Sequence, residues 1–121
     1  MVAGGPDIKE YLLLFRSSTK GSPKPSAEQI QERKTWFGEV VSQGRLADKG
    51  NTLSPVSAKT IAADGSIKEG AYAANNEIVS GYLAVKADSI DEAILLARTN
   101  PVFKVGGSIE VREIVTFISG T

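Results

Sequence analysis

The chain has 121 residues, of which 41% are hydrophobic and 23% are charged, and these values are typical of one globular domain rather than a disordered or fibrous chain. Its 14 basic residues are balanced by 14 acidic ones, which argues against a partner with a phosphate backbone. It contains no cysteine and no histidine, which excludes disulfides, thiol nucleophiles, Ser-His-Asp catalysis and the usual nitrogen and sulfur ligands of metals. We therefore expect no nucleic-acid partner, no metal and no cofactor.

The distribution of apolar residues predicts a cytoplasmic protein. No apolar run approaches the ~20 residues that span a bilayer. The first residues, MVAGGPD, lack the basic and apolar regions of a secretory signal. We expect no membrane association, and a single domain over residues 7–118 between tails at 1–6 and 119–121.

The first third of the chain predicts a strand, a loop and a helix. From Asp7 to Arg16, the nearly continuous apolar run in DIKEYLLLFR favours a central strand covered on both faces. Turn-forming residues then predict a loop over Ser17 to Pro25. Ser26 and Gln29 have the spacing of a capping box, and Gly44 is expected to end the helix. The stripe expected to be buried, with Trp36 at its edge, is Ala27, Ile30, Lys34, Phe37, Val41 and Gly44.

The middle of the chain predicts four strands. A short strand starts at Arg45 and gives way to a loop. Segments 56–63 and 67–73 flank Asp64-Gly65-Ser66, which predicts a β-hairpin. Segment 77–87, EIVSGYLAVKA, is apolar on both faces and predicts a second central strand.

The last third predicts a helix, a loop and a strand. Ser89 and Glu92 have capping-box spacing, and Asn100-Pro101 is expected to end this helix. Residues 102–108 are predicted as a loop, and 109–118 as the final strand, with Ile109 and Val111 on one face. The helix is expected to bury Ile90, Ala93, Ile94 and Ala97.

This order of elements predicts an α+β fold of the ferredoxin-like type. It matches βαββαβ with an inserted hairpin, in which an antiparallel sheet carries two helices on one face. The other face of the sheet is then uncovered. Because the central strands are apolar on both faces, a second copy is the simplest cover, and we predict a homodimer with two sheets packed face to face.

Several segments together resemble one family. KEYLLLFR is similar to the family's first strand, and the helix with Trp36, then Gly44-Arg45-Leu46 and Leu53-Ser54-Pro55, resembles WxxWxxxxxxxGxL…LSP. GAYAANNEIVSGYLAVKADSIDEAILLARTNPVF resembles DGPFAETKEIVGGYYII…SLDEAIELAKxxP, and GGSIEVREI resembles a terminal EVRP strand. Over residues 8–117 the chain is similar to the YCII-related, or DGPF-domain, family of small bacterial proteins.

The resemblance implies a dimeric α+β barrel of ferredoxin-like protomers. It implies a fold shared with small enzymes that isomerise or dehalogenate lactones and with monooxygenases of similar build. Most members of the family have no assigned reaction, and many are encoded beside extracytoplasmic sigma factors. The chain departs from the motif, since Asp-Gly-Pro-Phe becomes Glu69-Gly70-Ala71-Tyr72, and the proposed histidine base of the YCII branch has no equivalent.

Two groups of residues are candidates for a site. Tyr72, Asn75, Asn76 and Glu77 can line a pocket in which Glu77 acts as acid or base, or they can form a turn between two strands. In the second group, Trp36 and Phe37 can stack on a planar ligand or pack in the core. Arg112, on the same face of the last strand as Glu110, can hold a ligand carboxylate or form a cross-strand or intersubunit ion pair. The candidate ligand-binding set is Arg16, Trp36, Tyr72, Asn76, Tyr82 and Arg112.

Three functions remain open from the sequence. The first is a non-catalytic dimeric module that binds a small ligand or a regulatory partner, which the missing histidine and the altered motif favour. The second is an enzyme that uses Glu77 or a neighbouring carboxylate with Tyr72 on a small carbonyl or lactone substrate, as an isomerase or dehalogenase would. The third is an accessory partner in sigma-factor-linked transcription regulation, which only the resemblance implies.

Overall fold

A computed structural model describes residues 8–20 and 24–115. The predicted tails, 1–6 and 119–121, and the end of the predicted last strand, 116–118, lie outside the described residues. The elements, in chain order, are β1 (Lys9–Ser18), α1 (Ala27–Ser42), β2 (Leu46–Thr52), β3 (Lys59–Ile61), β4 (Ile67–Glu69), β5 (Ala73–Ala74), β6 (Glu77–Ala87), α2 (Ile90–Ala97), a 3-10 helix (Pro101–Val105) and β7 (Ser108–Glu113).

The main sheet is antiparallel and has the order β2-β6-β1-β7, with the short β5 paired to β6. The hairpin of β3 and β4 forms a separate two-stranded sheet. The fold is therefore α+β, and its strand order is compatible with the predicted ferredoxin-like plan. The two strands predicted to be central, β1 and β6, do lie at the centre of the sheet.

The core covers one face of this sheet. Tyr11 and Leu13 of β1 pair with Val85 and Leu83 of β6, and because side chains alternate along a strand, all four point to the same face. They belong to one buried cluster with side chains of both helices. The helical members are Trp36, Val40, Ala93 and Ala97. Both helices therefore pack on the same face of the sheet, and the opposite face has no helix of the described chain over it.

The predicted buried stripe of α1 is rotated by about one residue, or 100°, from the observed one, and of its predicted members Phe37 packs against the core. Trp36 and Val40 are buried, whereas Ile30 is exposed and Val41 is 48% exposed. The prediction followed the spacing of apolar residues and left the largest one, Trp36, at the edge. In the structure the Trp36 Nε1–H donates to Thr99 Oγ1 at 2.9 Å, which satisfies the indole N–H inside the core.

The predicted buried stripe of α2 is half wrong. Ala93 and Ala97 are buried as predicted, but Ile90 and Ile94 are exposed. The small side chains face the sheet, where they allow the helix to approach it closely, so size rather than hydrophobicity decides which face is inside. The helix ends at Ala97, before the predicted Asn100-Pro101.

Local capping chemistry was predicted well for α1. Ser26 Oγ accepts from the N–H of Gln29 at 3.1 Å, and Gln29 Oε1 accepts from the N–H of Ser26 at 2.9 Å, which completes the capping box. Gly44, just past the helix, has φ of 69°, the left-handed conformation expected of a glycine exit.

At α2, only half of the predicted capping box forms. Ser89 Oγ accepts from the N–H of Glu92 at 3.2 Å. The Glu92 Oε1 atom accepts instead from the N–H of Asp88 at 3.1 Å and lies 2.8 Å from Arg45 Nη2. The guanidinium of Arg45, the residue before β2, therefore competes for the Glu92 carboxylate, which the sequence predicted to accept from the N–H of Ser89.

Several predicted boundaries also differ from the structure. The hairpin around Asp64-Gly65 forms, but its strands have only three residues each. The segment after Arg45 is a longer strand than predicted, and β7 ends at Glu113. A 3-10 helix replaces the predicted loop at 102–108, because Asn100 caps it and Pro101 presets its first turn.

Candidate functional site

A cleft of about 940 Å³ opens on the helix-covered side of the sheet, between α1 and the strands. The last residues of β1 and β2 and the middle of β6 form its floor, α1 forms one wall, and the 3-10 helix with Gly106-Gly107 forms the other. This volume lies in the range of about 300–1,000 Å³ that is typical of small-molecule sites.

Three aromatic side chains contribute to the apolar part of the cleft. Phe15 follows Leu13 on the core-facing side of β1, so strand alternation carries the core surface into the cleft. Trp36 and Phe37 contribute from α1, and Leu83 contributes from β6. The cleft is thus an extension of the core that the helices leave uncovered.

A backbone irregularity shapes the floor of the cleft. The pairing of β1 with β6 shifts between Phe15 and Arg16, so that Phe15 pairs with Gly81 and Arg16 pairs with Val79. Ser80, the extra residue, donates from its hydroxyl to the Phe15 carbonyl at 3.2 Å. Gly81, which pairs with Phe15, lines the cleft, and a Cβ atom there would lie 3.1 Å from the Asn51 carbonyl oxygen of β2.

The opposite face of the sheet carries an ion cluster, which we define as Arg16, Glu77, Ser108, Glu110 and Arg112. The Glu77 Oε1 atom lies 3.5 Å from Arg16 Nε and accepts from the Ser108 hydroxyl at 3.1 Å. Arg16 Nη1 lies 3.9 Å from Glu110 Oε1, and Arg112 Nη1 lies 3.3 Å from Glu110 Oε2. The Arg16 side chain is only 17% exposed and also donates to the Glu77 carbonyl at 3.2 Å.

The structure therefore brings three of the sequence-predicted site residues together, namely Arg16, Glu77 and Arg112. Tyr82 lies on the same face, where its hydroxyl accepts from Asn51 Nδ2 at 3.0 Å. In this cluster each carboxylate contacts a guanidinium, so the arrangement fixes the strands and neutralises charge.

The other sequence-predicted residues lie apart from the cluster. Trp36 lies on the helix side, where it packs in the core and lines the cleft. Tyr72 is 75% exposed in the segment between β4 and β5 and does not line the cleft. Asn75 and Asn76 have φ of 54° and 62° and form the two-residue turn between β5 and β6, which is the type of turn that accepts two positive φ values.

Sequence reasoning missed the lining of the cleft other than Trp36 and Phe37. Its charged members are Arg33 and Lys34 of α1. Their position beside Phe37 on the helix was a signal, but it identifies a site only when the sheet and the 3-10 helix that complete the cleft are known. Sequence reasoning placed Lys34 inside the core, whereas the structure exposes it.

A scan of the chain against protein-family models finds no matching family, and a search of curated proteins finds no match. The similarity to the YCII-related family therefore remains a prediction. No helix in the described residues combines the length and apolarity needed to cross a bilayer. Residues 8–20 and 24–115 also contain no group of three or more acidic side chains that could hold a metal ion.

Proposed function

We propose that the protein is a non-catalytic module that binds a small ligand in the cleft between α1 and the sheet. The observation that carries this proposal is the cleft itself, which has the volume of a small-molecule site and an aromatic lining. Among the described residues its lining offers hydroxyl, amide and cationic groups but no carboxylate, and the chain has no imidazole or thiol. A lining without carboxylate, imidazole or thiol favours binding over catalysis, because these groups are the common acids, bases and activators of a nucleophile.

The enzymatic alternative has less support. It uses Glu77 or a neighbouring carboxylate as acid or base with Tyr72, yet Glu77 belongs to the ion cluster and Tyr72 is largely exposed. Neither residue lines the cleft. The third hypothesis, a partner in sigma-factor-linked regulation, continues to depend on the family resemblance alone.

Trp36 provides the test of ligand binding, because it is the single tryptophan of the chain and lines the cleft. We expect the neutral fluorescent probe N-phenyl-1-naphthylamine to bind with a blue shift and to quench Trp36 emission. Ser17→Phe, which places a ring on the cleft floor, should abolish this binding. Ser57→Phe is the matched control, because Ser57 is exposed in the segment before β3.

Folding of each variant is checked by circular dichroism. If Ser17→Phe does not fold, Val105→Phe serves in its place, since Val105 lines the cleft from the 3-10 helix and is 39% exposed. Failure of the probe to bind the unsubstituted protein would refute the proposal. So would an unchanged affinity in a folded variant with a filled cleft.

We propose further that the open face of the sheet packs on the same face of a second copy. Leu12, Leu14 and Val79 on this face are only half-buried in the single chain, and the ion cluster beside them contains both signs of charge. A patch with apolar residues and both charges is self-complementary, as a two-fold interface requires. This arrangement would be the dimeric α+β barrel.

Light scattering after gel filtration tests the dimer. The expected mass is 25.6 kDa, twice the chain mass of 12.8 kDa. Leu14→Glu should give the monomer mass, because it buries a charge against the partner sheet. Val56→Glu, at a position 87% exposed in the segment between β2 and β3, should leave the mass unchanged. A monomer mass for the unsubstituted protein at every concentration would contradict the proposal.

We also propose that the chain is a divergent member of the YCII-related family with a ferredoxin-like fold. The strand order supports this, and so does Gly70, the glycine equivalent to that of the DGPF motif. Its φ of 92° is a conformation that residues other than glycine rarely adopt. The backbone conformation therefore explains why a glycine stands at this position of the motif. Gly70 also comes before β5 and β6 in the chain, as the glycine of the motif comes before the next strand in the family.

A further inference from the structure

We propose that the ligand of the cleft is an amphipathic anion, with an aromatic body that enters the cleft and a carboxylate that meets Arg33 and Lys34. This inference rests on the proposed function, because it specifies the ligand of the same cleft. It specifies the charge of the ligand, its functional group and the side chains that recognise that group.

The charge of the cleft lining differs from that of the whole chain. The chain has equal numbers of acidic and basic residues, but among the described residues the cleft is lined by two cations, Arg33 and Lys34, and by no Asp or Glu. Within the described residues, neither cation has a carboxylate oxygen within 4.0 Å. Both positive charges are therefore available to a ligand.

The acidic residues of α1 lie on another side of the helix. Glu28, Glu32 and Glu39 are spaced by four and seven residues, so they share one stripe. Glu32 Oε2 accepts from Lys104 Nζ at 2.7 Å, and this hydrogen bond, with the charges of Glu32 and Glu28, raises the pKa of Lys104. The helix thus separates its charges, with Glu28 and Glu32 directed to Lys104 and the cations to the cleft.

The aromatic residues lie within one turn of Arg33. Trp36 and Phe37 are three and four residues beyond Arg33, the spacings that place side chains on the same surface of a helix. A ring held by Phe15, Trp36 and Phe37 would therefore have a guanidinium within reach of its substituent. Arginine is suited to a carboxylate because its planar fork can donate two parallel hydrogen bonds.

The test compares two ligands of the same shape, 4-phenylbutanoate and 4-phenylbutanamide, by calorimetry and by quenching of Trp36. A charge-assisted pair should make the acid bind about tenfold more tightly than the amide at neutral pH. Arg33→Gln should remove most of this preference, because it weakens binding of the acid far more than binding of the amide. Added salt should weaken the binding of the acid and not that of the amide.

Arg98→Gln is the matched control, because Arg98 is exposed at the end of α2 and does not line the cleft. It should preserve the preference for the acid. The double variant of Arg33→Gln and Lys34→Gln should bind acid and amide equally. A preference that persists in a folded double variant would overturn the inference, because the two cations would not be its source.

The remaining outcomes separate the inference from the proposed function. If acid and amide bind equally to the unsubstituted protein, the inference fails and the cleft remains a ligand site. If N-phenyl-1-naphthylamine binds and neither phenylbutanoyl compound does, the inference fails in the same way. If none of the three compounds binds, both the proposed function and the inference fail.

Discussion

Replacement of Gly50 by alanine tests the geometry of the sheet edge. Gly50 is buried in β2 with φ of 66°, and a Cβ atom there would lie 1.7 Å from the Tyr82 carbonyl oxygen and 2.8 Å from Leu83 Cα. Both contacts are with the backbone of β6, so no side-chain rotation can relieve them. Gly50→Ala therefore requires β2 to move away from β6.

Two effects determine how far Gly50→Ala lowers the free energy of unfolding. An alanine at positive φ costs about 1–2 kcal/mol. Loss of about two hydrogen bonds between β2 and β6 adds about 1 kcal/mol each. We expect the free energy of unfolding to fall by about 3–4 kcal/mol, a large fraction of the about 5–15 kcal/mol typical of a domain.

Urea unfolding followed by Trp36 fluorescence measures this change, and Gly44→Ala is its matched control. Gly44 has nearly the same φ, 69°, but a Cβ atom there would meet nothing within 4 Å. Gly44→Ala should therefore lower the free energy of unfolding only by the cost of an alanine at positive φ, about 1–2 kcal/mol. Equal losses for the two variants would refute the argument that contact with β6 is decisive.

Two further predictions concern exposed positions. Gly38→Ala should raise the free energy of unfolding by about 1 kcal/mol, because Gly38 lies within α1 and an added Cβ atom would meet nothing within 4 Å. An unchanged midpoint of urea unfolding would contradict this prediction. The Ser66 hydroxyl, then its N–H, lowers the pKa of Asp64, so the stability that Asp64 contributes is present above its unfolded-state pKa and is lost as the pH falls through its folded-state pKa. Ser66→Ala should raise that pKa in a carboxyl NMR titration, whereas an identical titration curve would show that the hydroxyl has no effect.

The accuracy of the sequence predictions depended on how local their causes are. The capping box of Ser26 and Gln29 and the turn at Asp64-Gly65 were predicted correctly, because residues a few positions apart determine both. The buried stripe of α1 was wrong, because the position of Trp36 depends on Thr99, 63 residues away in sequence. Hydrophobic spacing alone does not reveal such a partner.

The candidate site shows the same limit. Strand alternation was enough to suggest that Glu110 and Arg112 share a face, and the structure pairs them. The cleft was not predicted, because β1, β2, α1, β6 and the 3-10 helix all contribute to it. Its recognition required knowing that the helices cover Leu13 and leave Phe15 at a cavity.

The two proposed surfaces lie on opposite faces of the same strand, and this makes their tests independent. Leu14 and Phe15 are adjacent in β1, so one points to the open face and the other to the cleft. Leu14→Glu should therefore separate the copies while keeping the affinity for N-phenyl-1-naphthylamine, and Ser17→Phe should block the probe while keeping the dimer mass. If one substitution alters both readouts in a folded protein, then the cleft is completed by the second copy, and ligand binding and association must be measured as one equilibrium.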